Sequence, residues 1–160
     1  MRSSTQQRPI DRMVSQFDQA QATSRYPVLT YVATVLIMFG LLAFVWAIPF
    51  PHIPFLGKYN GFVNWASFLI AGFVYYALKL SPVVSYVVLF FFFASSYLII
   101  QLEYWQKAGG PALWIIGGVV LTLGISTFLI FNKNKDLSRL LFVSPIVTAA
   151  KLLSSVKVKY

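Results

Sequence analysis

Between Arg25 and Lys133 the chain carries only four charged residues, Lys58, Lys79, Glu103 and Lys107, which divide an apolar sequence into four blocks. A helix rises about 1.5 Å per residue and a bilayer's hydrocarbon core is about 30 Å thick, so about twenty uncharged apolar residues make one crossing. Each block is close to that length. The chain is 160 residues long, and with 58% hydrophobic and 11% charged residues it has too little polar surface to coat a water-soluble globule. The expected fold is an all-α integral membrane domain of four transmembrane helices.

The remaining layout follows from local breaks. Residues 1–26 are polar, too polar to contain the apolar core of a secretory signal, so the first block reads as a retained span. The membrane domain, 27–132, is expected to hold spans at 27–48, 61–78, 83–102 and 111–131. The proline-rich stretch PFPHIPFLGKYN ends the first span. Lys79, Ser81 and Pro82 separate the second and third so tightly that these two must be antiparallel neighbours. Pro111 suits a first helical turn, where its missing N–H has no partner to lose, and NKNK closes the fourth span.

Both ends read as amphipathic helices. In 9–20, Ile10, Met13, Val14 and Phe17 recur at helical spacing and form one apolar stripe. In the basic tail, 133–160, Ser144, Thr148, Lys151 and Ser155 form a polar stripe, and Ile146, Val147, Ala150 and Leu153 cover the rest. Anchoring on the membrane surface is the simplest expectation for both helices.

Charge sets the expected orientation, because Lys and Arg near span ends resist translocation. With both termini inside, that side collects Arg2, Arg8, Arg12, Arg25, Lys79, Lys133, Lys135, Arg139, Lys151, Lys157 and Lys159, leaving only Lys58 and Lys107 outside. This points to both termini inside, and the expected location is a bacterial inner membrane with both termini cytoplasmic. It also accounts for the net charge of +9 through topology and anionic headgroups. The expected partners are membrane lipids and other membrane protein subunits, with no nucleic acid.

The inventory for chemistry is short: one histidine, four carboxylates and no cysteine. Asp11, Asp18 and Asp136 belong to the expected inner side, His52 and Glu103 to the outer side. The outer set offers two ligands and the inner set carboxylates alone, whereas catalytic zinc and non-haem iron sites generally use three or more ligands with histidine among them. His52 reads as an interfacial loop residue, and Glu103 has a partner in Lys107 one turn on. No GxSxG, HExxH, P-loop or dinucleotide fingerprint occurs. No catalytic or metal residue and no cofactor is therefore predicted. Gly118, Thr122 and Ser126, spaced by four, put small side chains on one face of the fourth span for close helix packing. Tyr59, Trp65, Tyr75, Tyr76, Tyr104, Trp105 and Trp114 lie near expected span ends, where amphipathic rings prefer the interface. Asn64 and Gln101 also fall near span ends.

The order of these features resembles one family, the small four-helix membrane proteins related to the yeast endoplasmic-reticulum dioxygenase that shortens 2-hydroxy fatty acids by α-oxidation. The resemblance rests on NWASFLIAGFVYYALKLSPVVSY, which is similar to the family's Asn-Trp opening of the second span and its Tyr-Tyr-x-Leu-x-Leu-x-Pro-like turn. It rests too on DLSRLLFVSPIVTAAKLL, similar in outline to the family's final Leu-rich helix, and it covers about residues 10 to 155. It implies a four-helix scaffold and, for catalytic members, ferrous iron held by histidines. Setting Pro27 on the family proline puts Ser24 and Ala33 where histidines belong and Leu29 where asparagine belongs. No histidine lies between Thr127 and Asp136, where the family has Gly-His. The expectation is a scaffold without its metal site: a non-catalytic accessory or structural subunit of a membrane complex. The alternative is a membrane enzyme or lipid-binding protein acting on a fatty-acyl or other hydrophobic molecule.

Overall fold

The computed structural model describes residues 8–22, 26–51, 53–55, 57, 63–131 and 144–155. Among them are six helices and no strand: α1 Pro9–Ala22, α2 Pro27–Trp46, α3 Trp65–Leu80, α4 Pro82–Lys107, α5 Leu113–Phe131 and α6 Ser144–Ser155.

The helix ends have local causes. Pro27 and Pro82 occupy the first turns of α2 and α4, where a missing N–H costs nothing. Asn64 opens α3 with a reciprocal capping box: its Oδ1 accepts from Ser67 N at 3.0 Å, while its own N–H donates to Ser67 Oγ at 3.2 Å. One extended residue, Ser81, separates α3 from α4; its N–H donates to the Ala77 carbonyl at 2.8 Å and its hydroxyl faces Val84 N. At the start of α5 the Leu113 N–H donates to Gln106 Oε1 at 2.7 Å. The helix therefore begins at Leu113, and Pro111 lies just outside it rather than in its first turn.

Three helices are long and apolar enough to cross a bilayer: Val28–Trp46, Pro82–Lys107 and Leu113–Phe131. The expected second span, 61–78, is realised as α3, whose 16 residues extend about 24 Å. The Asn64 cap trims its start, so α3 is shorter than a full span on length alone. Residues 61 and 62 lie outside the described part.

The most extensive helix pairing is α2 with α5. A Cβ added at Gly40 would stand 2.4 Å from Leu121 N, one at Gly117 2.7 Å from Phe44 N, and one at Gly124 2.8 Å from Ile37 N. Backbone therefore lies on backbone at three successive turns. The paired numbers run in opposite directions, so α2 and α5 are antiparallel. Gly118 is one position off this seam: nothing stands within 4 Å of its added Cβ, and Thr122 and Ser126 are exposed. The expected packing face is thus not the one used inside the chain. A glycine with no Cβ lets backbones approach more closely than a stripe of Thr and Ser does.

α3 packs on α4, with the rings of Phe73 and Phe92 5.9 Å apart. Large apolar side chains such as Phe68, Phe90, Phe93 and Leu129 point outward. In water they would form an untenable patch; against lipid tails they are at home.

Candidate functional site

Polar side chains converge at the end of the bundle where α2 begins and α1 and α6 dock. α1 buries Ile10 and Phe17, and α6 buries Ile146, Val147, Ala149 and Ala150. These helices are thus packed on the bundle and on each other, beyond what surface anchoring requires. The polar stripe of α6 turns inward. Ser144 Oγ is 3.3 Å from Thr34 Oγ1, and Thr34 also donates to the Thr30 carbonyl at 2.9 Å. Two turns on, Lys151 Nζ donates to Tyr31 Oη at 2.8 Å and forms an ion pair with Asp18. It also sits 5.6 Å from the centre of the Phe17 ring, within range of a cation–π attraction. One ammonium group therefore ties α6 to both α1 and α2. Burial opposes its charge, but the hydrogen bonds and electrostatic attraction of Asp18 and Tyr31 outweigh burial and hold Lys151 above its ordinary value of 10.5.

Thr148, midway between Ser144 and Lys151, is different. Its Oγ1 is buried and finds no hydrogen-bond partner among the described residues. Thr148 lines a cavity of about 130 Å³ between α2, α4 and α6, with Thr34, Met38, Val88, Phe92 and Ala149 among its other walls. A space of that order holds a small apolar group or a short run of methylenes. The lining is almost wholly apolar and offers a visitor only hydroxyls.

The remaining expected site residues are scattered. Trp65, Tyr75, Tyr76, Tyr104, Trp105 and Trp114 are all exposed and lie near helix ends. The Trp65 indole donates to the Pro49 carbonyl at 3.2 Å. Lys107 does not pair with Glu103: its Nζ lies 5.7 Å from the Tyr104 ring centre, and among the described residues no ion pair involves Glu103. His52, Lys58, Tyr59 and Asp136 lie outside the described residues.

The iron implied by the family resemblance does not fit these residues. Ala33, set on a histidine position, is buried in an apolar cluster with Phe17, Ile37, Phe128 and Val147. Among the described residues no three His, Cys, Asp or Glu side chains stand together. No family model, curated protein or solved structure matches this chain.

Proposed function

We propose that this is a non-catalytic, four-span membrane protein serving as an accessory or structural subunit of a larger membrane complex, with both termini on the cytoplasmic face of a bacterial inner membrane. The observation that carries the proposal is the Lys151, Asp18 and Tyr31 clamp, because it commits converging polar groups to holding α1, α2 and α6 together. Around that base the bundle offers apolar and aromatic faces. The outward side of α5, with Gly118 and Thr122 lining a shallow groove beside Phe44 and Trp114, suits a helix of another subunit.

The fourth crossing is inferred from direction. Thr34 and Met38 of α2 share a cavity with Val87 and Phe91 of α4, and Trp46 and Ala47 share another with Glu103 and Gln106. Helices α2 and α4 therefore run parallel. Both are of spanning length, and a return of the chain through the bilayer along α3 is the reading that this direction supports. Thinning of the bilayer around a short helix costs only fractions of a kcal/mol per Å.

Purification in mild detergent from the native membrane, followed by native mass spectrometry, tests the function. Co-purification of another membrane protein at constant stoichiometry is expected; recovery as a lone monomer every time would overturn the proposal. The cavity at Thr148 favours a second reading, a protein that binds a fatty-acyl or similar hydrophobic molecule. Incubation with 2-hydroxy fatty acids and ferrous iron is expected to give no chain shortening. Turnover would replace the leading proposal with the enzymatic one.

A further inference from the structure

At the opposite end of the bundle, a cavity of about 320 Å³ opens between the last turns of α2 and α4 and the starts of α3 and α5. Its walls include Glu103, Gln106, Asn64, Trp46, Phe50 and Trp114. Glu103 is the only carboxylate between residues 26 and 132, is half-buried, and has no ion-pair partner among the described residues. A carboxylate on the wall of a cavity, without an ion-pair partner among the described residues, favours a cation as occupant.

A second contribution has the same sign. α2 ends here at Trp46 with no basic residue in its last turn, so the negative end of its helix dipole adds partial negative charge. Lys107, the basic residue of α4's last turn, is turned toward Tyr104 instead. The walls also narrow the class of cation. One carboxylate with a few carbonyls is a poor cage for calcium, which takes six to eight oxygens, whereas indole and phenyl rings attract organic ammonium groups through their π faces.

We propose that this cavity binds an organic ammonium of the ethanolamine or choline kind, with Glu103 as counter-ion and the rings of Trp46 and Trp114 against its methylene or methyl groups. The ammonium could belong to a lipid headgroup or to a free amine, and the test separates the two. The full-length protein in detergent is titrated with ethanolamine and with choline, following fluorescence of its four tryptophans. In parallel, lipid retention from nanodiscs containing equal phosphatidylethanolamine and phosphatidylglycerol is read by native mass spectrometry. Preferential retention of phosphatidylethanolamine without a response to free amines assigns the headgroup; a saturable response to the amines assigns the ammonium itself. In either case Glu103→Gln should weaken binding roughly tenfold or more, and Glu103→Asp should restore part of it. Thermal melts of both variants check folding. No response in either arm, or binding by a folded Glu103→Gln equal to the wild type, would overturn the proposal.

Discussion

At the scale of single residues, two side chains of α6 make opposite contributions. Lys151 is satisfied by Asp18 and Tyr31, whereas Thr148 buries a hydroxyl with no partner among the described residues. Lys151→Met should cost about 1–2 kcal/mol, a value kept low because the Asp18 carboxylate is half exposed and screened by water. Thermal unfolding in detergent measures it. Because the folded ammonium is held above 10.5, its contribution is fully present below pH 10.5 and is lost as pH rises through the higher folded value. The wild type should therefore lose stability above about pH 10.5 by an increment that Lys151→Met lacks; parallel loss in both proteins would contradict the clamp. Thr148→Val keeps the shape and removes the orphan hydroxyl, so it should be neutral or raise stability by about 1 kcal/mol. The polar stripe holding both residues was legible as a pattern. Its inward direction was not, because an unpaired amphipathic helix has no fixed partner until α1 and α2 provide one.

At the scale of elements, the glycines separate into two groups. Gly40→Ala, Gly117→Ala and Gly124→Ala each force a methyl group into facing backbone, and each should destabilise by about 1–3 kcal/mol or more. Gly72→Ala and Gly118→Ala meet nothing within 4 Å and should be neutral or mildly stabilising through helix propensity. Chemical or thermal denaturation of the five variants would reveal equal effects if the α2 and α5 seam were wrong. Glycine spacing within α5 was visible in the sequence, yet two faces carry small residues. Only the position of α2 distinguishes Gly117 and Gly124 from Gly118, Thr122 and Ser126. The Asn64 cap, by contrast, was legible in principle from Asn64 and Ser67 three apart, and Asn64→Ala should cost about 1 kcal/mol.

At the scale of the molecule, orientation is open to direct measurement because the chain has no native cysteine. Ser15→Cys and Ser154→Cys lie at the clamped end and Ala108→Cys at the other, all three exposed. A membrane-impermeant maleimide applied to intact cells should label only Ala108→Cys. Labelling of Ser15→Cys or Ser154→Cys from outside would overturn the proposed orientation. For the α5 surface, Gly118→Phe should leave the melting temperature nearly unchanged while reducing recovery of a co-purifying subunit; retention of the subunit would exclude that face from the contact.

Composition and the spacing of charges by themselves determined that this chain is helical and suited to a bilayer, because backbone groups in hydrocarbon must bond within their own segment. They also placed helix breaks at the proline-rich stretch after α2 and at Ser81 and Pro82, because proline acts over a few residues. Only the tertiary structure decided which glycine face closes the α2 and α5 seam, that the polar stripe of α6 turns inward, and that Glu103 is left without Lys107. Those outcomes depend on contacts between residues far apart in the chain, such as Asp18 and Lys151, where no local spacing records which side chains will meet.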